Sequence, residues 1–293
     1  MVTDGARITR RRPSTRGRAD RIARRVVVYV VLTVFAFAAL VPLFYAVSTS
    51  LKVDGQELAT PIRWIPDPIE WKNYSRIFTV VPLLTFLQNS AVIAALTLIG
   101  DVLVSALVAY GFARLRFPGR DALFMVVLST VMLPYVVTLI PQFVLFRKLE
   151  LVNTLWPLII PSIFGQPIYI FLLRQFFRSL PAEIEESARL DGAGFLRIWW
   201  SIAMPLARPG LATVAILSVL THWNDFIAPL VYLNTQDKWT LPLAVNLFQG
   251  DFRLQFNLMM AYAAVMTVPV VIIFLAFQKY FIRGLALSAT GGK

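Results

Sequence analysis

The feature that most constrains this chain is the recurrence of apolar runs about as long as a bilayer is thick. "VVVYVVLTVFAFAALVPLFYAV", Val26 to Val47, is one of them. A helix rises 1.5 Å per residue, so about 20 apolar residues span ~30 Å of hydrocarbon. In lipid, every backbone N–H and C=O must be satisfied within the protein, which leaves helices and closed barrels as spanning structures. Runs of this length read as helices. Composition agrees: 58% of the 293 residues are hydrophobic and 15% are charged, with a mean hydropathy of +0.69. The chain is expected to be all-α, a polytopic membrane helical bundle.

Six spans are expected, at 26–50, 87–113, 122–146, 155–177, 209–231 and 257–282. Residues 1–25 form a basic tail without expected order, and 283–293 a short tail of small residues. The run 26–47 exceeds the ~7–15 residues of a signal-peptide core, so it is expected to stay as an anchor. Prolines recur within the spans, and in membranes such kinks are tolerated because neighbouring groups satisfy the freed carbonyls. Kinks suit a transporter and are equally common in static bundles.

The net charge of +12 invites a nucleic-acid reading, but its distribution favours topology. Nine arginines lie in the first 25 residues, directly before the first span. With that end cytoplasmic, 20 of the 28 Lys and Arg fall on the cytoplasmic side, as the positive-inside rule requires. Both termini and the connection at about 178–208 are then cytoplasmic, in a cell-membrane protein without nucleic-acid partners. Cysteine is absent and histidine occurs once, His222, which excludes disulfides, thiolate chemistry and a histidine metal cluster. No metal site is expected.

The connection between spans four and five carries "EIEESARLDGAG", Glu183 to Gly194. Ser179 is placed to cap a helix starting at Leu180 or Pro181. Glu183, Glu185 and Glu186 sit in its first turns, where the helix dipole favours negative charge. Glu185 and Arg189 stand at i,i+4, and Gly192 ends the helix. A helix lying on the bilayer surface calls for a broad apolar face and basic flanks. This one is acidic with a narrow face of Ile184, Ser187 and Ala188, which favours docking into a protein groove.

"EESARLDGAGFLRIWWSIAMPL" resembles the EAA loop of binding-protein-dependent ABC importer permeases, a pattern of Glu-Ala-Ala, Asp-Gly-Ala and a downstream Pro. The matching positions are Glu186, Ser187, Ala188, Asp191, Gly192, Ala193 and Pro205; Ser187 stands where the pattern prefers Ala. "ARLRFPGRDALF", "IFLLRQFFRSLPAEIEE", "HWNDFIAPLVYL" and "LPLAVNLFQGDF" are similar to the carbohydrate branch, of the maltose-system second permease type. The tail "RGLALSATGGK" is only loosely similar. The resemblance covers most of the chain from residue 26 onward. It implies the type I importer architecture and an ATPase-coupling helix made of Glu183, Glu186, Ser187, Ala188, Asp191, Gly192 and Ala193. It also implies a second permease as heterodimer partner, two copies of a cytoplasmic ABC ATPase, an extracytoplasmic solute-binding protein and a sugar substrate, with another polar solute such as a sugar phosphate or polyol as the alternative. The chain has no G-x-x-x-x-G-K-[ST] loop to cradle phosphates, so it holds no cofactor of its own and ATP with Mg belongs to the ATPase. It is a transport subunit and not an enzyme.

Polar residues within the spans complete the reading. Thr97, Asp101 and Ser105 form one stripe on the second span. A carboxylate there costs ~2.5–3.5 kcal/mol on insertion scales, so it must face protein or water; holding the bundle together is the favoured role. On the fifth span, Ser218, Thr221 and Asp225 recur at i, i+3, i+7, with Trp223 and Asn224 beside them. These five are the candidate solute pathway, with interhelical hydrogen bonding as the equal alternative. Asp225 with His222 also suggests a proton relay, but too few ionisable groups follow the path for an ion-coupled carrier. Neither paired catalytic carboxylates nor a nucleophile with its base can be made out.

Overall fold

The computed structural model describes residues 15–57, 59–250 and 255–290. The described chain is helical: α1 Thr15–Ser50, α2 Asn73–Val80, α3 Leu83–Arg114, α4 Arg120–Ser129, α5 Tyr135–Lys148, α6 Trp156–Ile163, α7 Pro167–Ser179 and α8 Ala182–Leu190. There follow α9 Phe195–Ile198, α10 Met204–Leu206, α11 Arg208–Trp223, α12 Ile227–Tyr232, α13 Leu241–Ala244, α14 Leu247–Gly250 and α15 Phe256–Thr290. Four stretches are long and apolar enough to cross a membrane, α1, α3, the α6–α7 unit and α15. Two sharply bent pairs raise the number to six.

The outer spans extend beyond their expected limits. α1 begins at Thr15, so the second half of the basic tail is helical, and α15 continues to Thr290 through most of the expected tail. Lys293 lies outside the described residues. The third, fourth and fifth spans are interrupted where continuous helices were expected, while α3 runs unbroken. Before Pro134 the backbone of Leu133 is extended, as proline demands of its predecessor, and α4 meets α5 at 97°. The fourth span breaks at Gly165, whose φ of +77° turns the chain before Pro167 restarts it. The fifth breaks between α11 and α12. Its approach segment, with a π-turn at Trp199–Ala203, runs at 81° to α11.

α3 is the central post, packing against α6, α7 and α11, while α1 touches the bundle chiefly along α15. Close approach needs small residues. A Cβ on Gly100 would lie 2.8 Å from the Ser162 carbonyl oxygen, and one on Gly210 2.7 Å from the Phe176 ring. Besides the mid-span contacts of Asp101 and Ser105, polar contacts gather at the two ends. At one, Asn73 and Asn257 side-chain amides donate to the Lys52 carbonyl, Asp54 pairs with Arg76, and Asn89 donates to the carbonyls of Asp237 and Trp239. There, too, Asn153 accepts from Asn234 and Thr235 N–H groups at 3.0 and 3.1 Å. At the other end, Arg114 pairs with Glu185 and Arg174 with Asp121. From Ile22 through Phe44, α1 is exposed along its length.

Candidate functional sites

Two regions gather the residues singled out in the sequence. The first is α8. Ser179 is the last residue of α7, its hydroxyl bonded back to the Phe176 carbonyl, so it caps nothing. Leu180 is extended before Pro181, and α8 starts after that proline, a residue later than expected. The helix stop is as expected. Gly192 has φ +81°, its N–H donates to the Arg189 carbonyl at 3.0 Å, and Ala193 N–H donates to the Ala188 carbonyl at 2.9 Å. These two bonds around a left-handed residue are the Schellman motif.

α8 has two unlike faces. Glu185 does not pair with Arg189 but turns inward: its carboxylate meets Arg114 Nε at 2.9 Å and accepts from the Tyr110 hydroxyl at 3.1 Å. Glu185 is buried and Arg114 mostly so, with side-chain exposures of 6% and 13%. Arg114 Nη2 also donates to the Leu180 carbonyl at 2.6 Å. Breaking such a buried pair costs about 3–5 kcal/mol, so this anchor seats α8 firmly on α3. Ala188 and Ala193 are half-buried against the same core, alongside Tyr110, Phe177 and Ile198. Glu183, Glu186, Ser187, Asp191 and Gly192 are exposed, and Leu190 is bare at 89%. Of the expected coupling set, then, five residues face outward and two alanines face the chain's own core. Glu185, Arg114 and Leu190 were missed; Leu190 was legible as an apolar residue placed directly before a helix stop.

The second region lies among α5, α6, α7, α11 and α12. Asp101, with 0% exposure, accepts from Ser218 Oγ at 2.7 Å and from His222 Nε2 at 2.9 Å, while its Oδ1 has no partner among the described residues. His222 Nε2 also stands 3.4 Å from Ser162 Oγ. Ser105 accepts from Gln166 N–H at 3.1 Å across the break at Gly165, and Thr97 bonds to its own helix. Two residues of the α3 stripe, Asp101 and Ser105, thus tie α3 to neighbouring elements, while Thr97 does not.

His222 forms part of the wall of a cavity of about 450 Å³ whose polar lining includes Gln142, Gln166, Tyr169, Thr221 and Asp225. The five expected pathway residues therefore separate. Thr221 and Asp225 line the cavity. Ser218 is spent on Asp101. Trp223 is buried on another side, its Nε1 donating to the Met266 carbonyl at 3.2 Å, and exposed Asn224 donates to the Leu220 carbonyl at 2.8 Å. Gln142, Gln166, Tyr169 and Tyr232 were missed. The two glutamines were the visible signal, as amides inside or beside apolar runs.

The profile described as "Binding-protein-dependent transport system inner membrane component" matches residues 101–287. The chain is 35% identical over 260 residues to the arabinooligosaccharides transport system permease protein AraQ of Halalkalibacterium halodurans, covering 88% of this chain and 93% of that one. It is 32% identical to the diacetylchitobiose uptake system permease protein NgcG of Streptomyces coelicolor, over 86% of this chain and 84% of that one. Among solved structures, a bacterial ABC transporter involved in the import of the acidic polysaccharide alginate superposes with a TM-score of 0.77 at 27% identity, over 90% of this chain and 98% of that one. The all-helical bundle is that of an ABC importer transmembrane subunit, with ATP left to a partner. This chain belongs to the inner-membrane permease components of binding-protein-dependent transport systems.

Proposed function

We propose that this permease serves the import of sugars or sugar-like hydroxylated solutes, as half of a heterodimeric pore. Its partners are a second permease, two copies of a cytoplasmic ATPase and an external binding protein, and both of its termini are cytoplasmic. The relatives above are named for arabinooligosaccharides and diacetylchitobiose, which supports the sugar class. A cavity walled by amides, hydroxyls and tyrosine rings offers what a hydroxyl-rich solute needs, with Thr221 and Asp225 contributed by the fifth span.

The observation that carries the coupling assignment is the two-sidedness of α8. Its inner face is locked by Glu185 to Arg114, and its outer face presents Glu183, Glu186, Ser187 and the bare Leu190 to a partner. A lever must be rigid toward one body and accessible to another. Motion of a docked ATPase reaches α3 through the buried pair, and α11 through the segment after Gly192. Alternating access follows: closure of the ATPase pair moves α8, the pore opens outward to the loaded binding protein, and hydrolysis resets it.

The test is ATP hydrolysis and solute uptake measured on one reconstituted complex, with and without loaded binding protein. Glu186→Lys reverses a charge on the outer face, and Leu190→Asp removes its apolar knob. Each is expected to leave insertion and permease pairing intact, while uptake and binding-protein-stimulated hydrolysis fall about tenfold, the scale of a coupling energy of ~1–3 kcal/mol. Parental stimulation and uptake in both variants would refute the assignment.

A further inference from the structure

The cavity has a sign. Its titratable lining consists of Asp225, the phenols of Tyr135, Tyr169 and Tyr232, and His222; no Lys or Arg lines it among the described residues. Behind His222 stands a second carboxylate, Asp101, with one oxygen unpartnered. Asp225 accepts from the backbone N–H groups of Ala228 and Ile227, which orient its carboxylate without supplying a full countercharge. Tyr232 is 1% exposed and its hydroxyl has no hydrogen-bond partner among the described residues. A buried hydroxyl left unsatisfied is costly, and a solute hydroxyl or a water entering the cavity would relieve it.

We propose that this cavity selects its solute by charge: it admits hydroxylated solutes that are neutral or cationic and rejects phosphorylated, sulfonated or carboxylated ones, with Asp225 as the specificity-determining residue. The inference rests on the reading of the cavity as part of the solute path. Its physical basis is Coulombic. A unit charge about 6 Å from a carboxylate is favoured or disfavoured about 3-fold in bulk water and about 100-fold at an effective dielectric of ~20. The lining offers no fixed cation to offset that preference.

The chain contains no cysteine, which permits a direct measurement. Thr221→Cys places one thiol on the cavity wall, one helical turn before Asp225. In the assembled, membrane-embedded complex, this thiol is reacted with methanethiosulfonates bearing trimethylammonium, sulfonate or an uncharged group, and modification is followed by the mass of this chain. Rates are normalised to those of a free thiol in solution, so that the thiol's own acidity cancels between reagents. The cationic reagent is expected to outrun the anionic one by roughly tenfold or more after normalisation. Adding Asp225→Asn keeps an acceptor for the Ala228 N–H and should bring the ratio to within about twofold of unity. Asp225→Glu should retain the preference. A ratio that Asp225→Asn leaves unchanged overturns the charge-selection proposal while the cavity stays a candidate path. A thiol that even the uncharged reagent cannot reach overturns the path reading itself, and charge selection with it.

Discussion

At the scale of single residues, Gly192 and Glu185 do different work in the same helix. Nothing lies within 4 Å of where a Cβ on Gly192 would stand, so a substitution there acts through backbone strain alone. At φ +81° an alanine costs about 1 kcal/mol and a β-branched residue more. Gly192→Ala is expected to import solute at a reduced rate. Gly192→Val should misdirect the chain after α8 and abolish stimulation of the ATPase by binding protein. Uptake assays on the two variants, with complex assembly checked by co-purification, settle the order; parental uptake by Gly192→Val would remove the Schellman stop from the coupling account. The stop was legible in the sequence because a glycine behind an acidic helix has few other uses. Glu185 was not legible. Local spacing offered Arg189 as its partner, and the true partner, Arg114, lies on a helix that only the tertiary fold brings near.

At the scale of elements, the decisive contact is α3 against the broken fourth span. Gly100 sits under the Ser162 carbonyl, and Ser105 ties down Gln166 beyond the break. Gly100→Val must push α6 away from α3, because the atom it meets is backbone and cannot swing aside. Overpacking of this kind costs about 1–3 kcal/mol. A lower midpoint in thermal unfolding of the detergent-solubilised complex is expected, with uptake reduced even where assembly survives. An unchanged midpoint would mean that the two helices are free to part at this level. Hydrophobic length located the spans well, since bilayer thickness acts on composition. It did not locate the breaks at Leu133 and Gly165, because span counting treats proline and glycine as tolerated. Here they turn the chain. The same limit explains the pathway residues: helical spacing placed Ser218, Thr221 and Asp225 on one stripe, but a neighbouring carboxylate on α3 claimed Ser218.

At the scale of the whole molecule, the polar contacts of the two ends never mix, which supports the six-span topology and permits a single experiment on it. Cysteines introduced singly at Asp67 and Gln236 should react with an impermeant thiol reagent on intact cells. Those at Gly119 and Lys293 should react only after the membrane is opened. Labelling of Gly119 from outside would invert the arrangement and place α8 beyond the reach of any cytoplasmic ATPase. The bundle also shows where its sequence is under constraint. α1 is exposed from Ile22 to Phe44, its side chains almost all apolar from Val26 on, and it meets the rest of the chain mainly along α15. Exposure along this stretch is nearly continuous among the described residues, so length and apolarity are what it is expected to need most. Substitutions in α1 that keep its length and apolarity are expected to leave the fold intact, whereas a single methyl added at Gly100 meets the Ser162 backbone at 2.8 Å.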